Sequence, residues 1–149
     1  MKTPHLLFFT MLCVSLFGAA SAFSGEAAYR EFGSNKVYYS AFNSSFISPG
    51  VAAKYDITRG KDRGLINIAV VPDGIEGGRA ALVTGYVSNI FAQRQELNFF
   101  EVREGNVVYY LAPFRFENED PLTFKIKVKP SPDMPSYNLS FQRTFYHDE

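Results

Sequence analysis

The chain has 149 residues, 15 basic and 15 acidic side chains, two histidines, one cysteine and no tryptophan. Charges so evenly matched create no field to gather nucleic acid, and thiolate and imidazole donors for a zinc or copper site are scarce. The length suits one domain, which buries about two thirds of its unfolded surface.

The chain opens with a leader pattern. Lys2 precedes an apolar run from Leu6 to Ala20, and Ala20-Ser21-Ala22 supplies the small residues that a signal peptidase reads. Cleavage after Ala22 is predicted, leaving residues 23–149 as a single domain. Lys2 and Cys13 leave with the leader, so the mature chain carries a net charge of −1 and no cysteine. The residues before Cys13, Thr10-Met11-Leu12, lack the small residue of a lipoprotein site. An exported eukaryotic domain of this size usually carries disulfides. The predicted address is therefore periplasmic or secreted, in a bacterium. No later run reaches the roughly 20 apolar residues of a membrane span, so no transmembrane segment is expected after processing.

Short strands separated by turn residues follow, near Ala28–Phe32, Lys36–Phe46, Leu65–Val71, Ala80–Phe91, Gln95–Arg103, Asn106–Phe116, Leu122–Lys129 and Tyr137–Tyr146. Tyr38-Tyr39 and Tyr109-Tyr110 are adjacent pairs, so one ring of each must face outward. Such a ring either covers a sheet face or forms a stacking platform for a sugar or peptide. Ser48 to Tyr55 is the one helical candidate, with Ser48 as cap and Pro49 at the first position. Phe99-Phe100 breaks the alternation of its segment, which predicts a bulge with Leu97 and Phe99 inward before it and Phe100 or Val102 after it. Glu104-Gly105-Asn106 reads as a hairpin turn. Pro113 demands a bulge or an edge position, because it donates no ladder hydrogen bond.

Leu122, Phe124, Ile126 and Val128 alternate with Thr123, Lys125, Lys127 and Lys129. The lysine stripe reads either as a solvated face that blocks edge pairing or as a contact for an anion or polysaccharide. Seven or eight such strands predict an all-β fold, an antiparallel two-sheet sandwich of immunoglobulin-like type, with a small barrel as the alternative. Phe8, Phe9 and Phe17 leave with the leader, and the 21 phenylalanines and tyrosines of the mature chain take over the role of disulfides.

Reactive side chains are few. The only mature histidine is His147, near the end of the chain, and no serine-nucleophile, phosphate-loop or dinucleotide motif occurs. No catalytic residue, metal or cofactor is assigned. Glu117, Glu119 and Asp120 form an acidic turn without the ordered spacing of a calcium loop. A carboxylate hydrolase would need two facing acids, and nothing selects a pair from Asp56, Glu96 and Glu101. The densest polar stretch is Arg59-Gly60-Lys61-Asp62-Arg63-Gly64. Guanidinium forks between glycines suit a carboxylate or phosphate partner. The competing reading is a charged approach to a strand in which Asp62 pairs with Arg59 or Arg63.

Several segments resemble one family: Lys36 to Phe46, Arg59 to Ile68, Glu101 to Gly105, Tyr109 to Ala112, and Phe141 to Tyr146. It is domain-of-unknown-function family 4426, and the resemblance spans nearly all of Glu26 to Tyr146. It implies an exported, single-domain bacterial protein with a sandwich-like fold, and it carries over no activity or site residue.

The expected role is a non-enzymatic binding or accessory module, a protein–protein adaptor of the cell envelope. Its expected contacts are Arg59, Lys61, Asp62 and Arg63 together with the tyrosine surface of Tyr38 and Tyr39. The partner is an envelope protein or a glycan, not nucleic acid. A glycan-binding module is the alternative, and a hydrolase comes last.

Overall fold

The computed structural model describes residues 28–148, so the leader predicted for residues 1–22 lies outside the described part. Among these described residues, nine strands form two antiparallel sheets. They are β1 (Tyr29–Phe32), β2 (Asn35–Asn43), β3 (Arg63–Pro72), β4 (Leu82–Ser88), β5 (Arg94–Glu96), β6 (Phe100–Glu104), β7 (Val107–Arg115), β8 (Asp120–Lys129) and β9 (Tyr137–Phe145). The five-stranded sheet runs β1-β2-β3-β7-β6 and the four-stranded sheet runs β5-β4-β8-β9. Reading β2, β3, β4, β6, β7, β8 and β9 as strands A to G gives the sheets ABED and CFG, the immunoglobulin arrangement. β1 and β5 are added at one edge of each sheet.

The core lies between the sheets. It takes alternate residues from the longer strands, including Val37 and Ala41, Ile66, Ile68 and Val70, Val83 and Val87, and Leu122, Phe124, Ile126 and Val128. Phe114, Phe116, Phe124 and Phe145 meet edge-on or tilted towards one end of it, with ring centroids 5.1–6.2 Å apart. These rings, contributed by the chain from β7 to β9, supply large buried area in a sandwich that lacks the disulfide and tryptophan of antibody domains.

The segment Gln95–Arg103 is not one bulged strand. β5 pairs with β4 in one sheet and β6 pairs with β7 in the other. Leu97-Asn98-Phe99 carries the chain across, with Leu97 buried and its N–H donating to the Gly85 carbonyl. After the crossing, Glu101 and Arg103 share the inward register of Tyr110 and Val108. Val102 is buried on the other face of the five-stranded sheet, beside Leu65 and Leu111.

That second apolar layer explains the long connection from β2 to β3. The chain leaves β2 through a 3-10 turn, Ser44–Phe46, and a short helix, α1 (Pro49–Lys54). The helix starts as expected: the Ser48 hydroxyl accepts from the Val51 N–H at 3.3 Å, and Pro49 needs no partner for a missing N–H. Ala52 is buried, and the Tyr55 hydroxyl donates to Glu104 at the end of β6, which anchors the connection to the sheet.

Two further expectations change. The predicted strand Lys36–Phe46 stops at Asn43, and Ala80–Phe91 stops at Ser88. There the Asn89 side-chain oxygen accepts from the N–H groups of Phe91 and Gln93, a local turn that competes with the ladder. Pro113 sits in β7, which has strands on both sides, but β6 pairing ends at Leu111. Beyond Leu111 there is no ladder on that side for the proline to interrupt. The glycine of the β6–β7 turn, Gly105, has φ +61°, as its hairpin requires.

Candidate functional site

The strand registers place four connections at one end of the sandwich. Asn43 pairs with Gly64, Arg63 with Arg115, Asp120 with Phe145, and Ser88 with Arg94. The β2–β3 connection, the β4–β5 turn, the β7–β8 turn and the segment after β9 therefore share this end.

The basic stretch is held there by short-range bonds. The Ser44 hydroxyl donates to the Gly60 carbonyl at 3.1 Å and accepts from the Gly60 N–H at 3.0 Å. The Phe116 N–H donates to the Asp62 carbonyl, and Arg59 donates to the Ser45 carbonyl at 3.3 Å. Asp62 does not pair with Arg59 or Arg63. Its ion pair, at 3.3 Å, is with Arg115, brought beside it by the β3–β7 register. Desolvation pushes the Asp62 carboxyl up, but its own backbone N–H and the Arg115 guanidinium outweigh it and hold the group below its ordinary range. The loop is thus tied down through Gly60 and Asp62, and Arg59 and Lys61 are left exposed.

Exposed apolar side chains share this end of the sandwich with the cations. Phe46 is 70% exposed, and it follows Ser45, whose carbonyl receives Arg59. The β4–β5 turn presents Ile90 and Phe91, the latter 77% exposed, and Tyr146 is exposed after β9. These four are half of the eight exposed large apolar residues described, and they include the three most exposed. The acidic turn lies at the same end: the Glu117 N–H donates to Asp120, and Asn118 accepts from the His147 N–H. His147 packs its ring against Phe116 at 5.8 Å.

The tyrosines lie elsewhere. Tyr38 is five residues along β2 from Asn43, about 17 Å at strand rise. It faces outward and leans on Tyr29, with centroids 5.2 Å apart. Tyr39 faces inward at the rim of the core and packs on Phe141 at 4.7 Å. The structure therefore brings Arg59, Lys61, Asp62 and Arg63 together and leaves Tyr38 and Tyr39 apart from them.

A second cluster lies on the inner side of the edge strand β6. Glu101 pairs with Arg103 and accepts from the Tyr110 hydroxyl at 2.8 Å, and that hydroxyl accepts from the Ala81 N–H. Arg103, then Tyr110, hold the Glu101 carboxyl below its usual range, and burial pushes the Tyr110 phenol up. Glu96 lies on the outside of the other sheet, and Asp56 follows α1, so the three acids considered for hydrolysis do not face one another.

Residues 29–148 match a family model described as "Domain of unknown function (DUF4426)". The chain belongs to the DUF4426 family. The crystal structure of a DUF4426 family protein from Pseudomonas aeruginosa is 32% identical, with a TM-score of 0.73 over 83% of this chain and 97% of that one. FetP of uropathogenic Escherichia coli, expressed recombinantly in the periplasm, is 8% identical with a TM-score of 0.56 over 83% of this chain and 95% of that one. A copper-bound FetP variant is 9% identical with a TM-score of 0.55, over 81% and 95% of the two chains. At these identities FetP shares the fold. No curated protein matches the chain. Among the described residues of this DUF4426 chain, no three His, Cys, Asp or Glu side chains are grouped as a metal site would need.

Phe46, Ile90 and Phe91 are surface residues here although alternation puts all three inside predicted strands. The signals that end those strands were present in Ser48-Pro49 and in Asn89.

Proposed function

We propose that this DUF4426 protein is a non-enzymatic binding module of the bacterial periplasm. It docks a protein of the cell envelope through the end of the sandwich that carries Phe46, Arg59 and Lys61. The observation that carries this reading is the concentration of exposed apolar side chains beside a pinned basic loop. An exposed phenylalanine costs hydration free energy in the free protein and gains it back when a partner covers the ring. Aromatic residues and arginines supply much of the energy at protein interfaces. A pre-ordered loop also loses little conformational entropy on binding. The partner that fits offers an apolar pocket with acidic groups at its margin. The periplasmic address is supported by the leader pattern and is in keeping with a fold shared with FetP.

Glycan binding through Tyr38 and Tyr39 has less support, because Tyr39 is committed to the core rim. A protein crosslinked in cells and recovered with the native chain tests the docking site. The combined variant Phe46→Ser, Arg59→Ala, Lys61→Ala should lose that partner at least about tenfold, since central interface truncations each cost about 1–2 kcal/mol or more. Its melting temperature should stay close to native, because these side chains are exposed. Undiminished recovery of the partner would remove this end of the molecule from the interface.

A further inference from the structure

The outer face of the four-stranded sheet carries a charge pattern that the fold does not need. β8 contributes Lys125, Lys127 and Lys129 to it, with successive positions about 6.7 Å apart along the strand. Arg94 joins them from β5, lying over the Tyr86 ring at 4.2 Å, and Glu96 is the one acid in the same outward register. Neither ion pair among the described residues includes any of these four cations.

Lysines on an edge strand are readily explained, because they discourage a foreign strand from pairing. β8 is not an edge strand: β4 lies on one side and β9 on the other. The reading of the stripe as edge protection therefore fails. Lysine is depleted in strands, and like charges stacked along one face repel. The neighbours of Lys125 and Lys127 across the ladder are Tyr86 and Thr84 on β4, and Ser140 and Asn138 on β9, none of which offsets the charge. A stability cost without structural compensation marks a functional surface. Lys125 and Lys127, with these neighbours and Glu96, line a trough of about 570 Å³, and Lys129 follows them on the same strand outside its lining.

We propose that this face binds a linear acidic polysaccharide. Its carboxylates lie along the ammonium groups of β8, and its hydroxyls bond to Thr84, Asn138 and Ser140. The row of cations matches a chain that bears charge at regular intervals. The hydroxyl and amide groups beside the cations match a ligand rich in hydroxyls. The surface is concave and only Leu82, at its margin, is a strongly exposed apolar residue, so it lacks the protruding apolar groups that enter a bilayer. This surface is distinct from the docking end, and either assignment can fail alone.

The test is calorimetric titration of the chain with a short poly-uronate oligosaccharide at several salt concentrations. Three charge contacts to a flexible polyanion predict a slope of about −2 in log K against log salt. The triple variant Lys125→Gln, Lys127→Gln, Lys129→Gln should lose affinity about tenfold or more at low salt and flatten that slope. Lys127→Glu alone should weaken binding too, which keeps the test open if the triple variant folds poorly. Lys54→Gln removes the same charge from another surface and should change nothing. Neutral dextran should not bind. The proposal is overturned if the native chain ignores poly-uronate, if the triple variant folds and binds it as well as native, or if only polyphosphate or phosphatidylglycerol vesicles bind.

Discussion

Phe124→Ala should cost about 3–5 kcal/mol of folding stability, and Lys125→Ala beside it less than about 0.5 kcal/mol. Phe124 is fully buried on β8. Its ring stacks on Phe141 at 4.8 Å and takes the edges of Phe114 at 5.1 Å and Phe145 at 6.1 Å. Removing it strips contacts from three other rings at once and leaves a cavity between two sheets whose backbones cannot close on it. A domain of this size has a total stability of about 5–15 kcal/mol, so the variant sits near the unfolding threshold. Lys125 points the other way into solvent. Urea unfolding of the two variants checks both values. Equal losses would mean that the strand register is wrong.

The second large effect should come from adding atoms. Gly64 lies on the inner side of β3, paired with Asn43 on one side and Phe114 on the other. A methyl group there would stand 2.7 Å from Cε2 of the Phe114 ring, so the ring would have to move. It has nowhere to go, because Phe116, Phe124 and Phe145 surround it. Gly64→Ala is expected to destabilise the fold by about 1–3 kcal/mol, and Gly64→Val by more. The backbone at Gly64 is not in the left-handed region, so the loss is one of packing. Phe114→Leu in the same chain should therefore relieve part of it, giving a coupling of about 0.5–3 kcal/mol in a double-mutant cycle. Simple additivity would show that ring displacement is not the cause.

Both effects belong to features that alternation reveals. The period of two along Leu122–Val128 marks which residues of β8 face the core, and the same logic holds for Ile66–Val70 and for Val83–Val87. Alternation does not say which sheet a strand joins. β5 and β6 are separated by only Leu97-Asn98-Phe99, and both flanks carry apolar residues, so a change of sheet looks the same as a bulge. The apolar layer of Leu65, Val102 and Leu111 was hidden for a related reason. It exists because the β2–β3 connection covers the outside of the sheet, and that connection has no strong period of its own.

The candidate site was legible in part. A run of charges between glycines points to Arg59–Arg63, but the partner of Asp62 is Arg115, 53 residues away, and only the β3–β7 register brings them together. Phe46 and Phe91 resemble core residues in a one-dimensional pattern, since phenylalanine is usually buried. Their exposure follows from where the strands stop: Phe46 lies in the 3-10 turn Ser44–Phe46 that takes the chain out of β2, and Phe91 lies in the turn that Asn89 closes after β4. The lysine stripe was visible as a face, yet its place on an interior strand is a property of the topology.

The docking claim is tested most directly by site-specific photo-crosslinking in intact cells. A photoreactive side chain at the position of Phe46, Lys61 or Phe91 should capture the same envelope protein in each case. One at Glu31 or Tyr38, on the outer face of the five-stranded sheet, should capture none of it. Capture from Glu31 and Tyr38 with none from Phe46 and Lys61 would contradict the account.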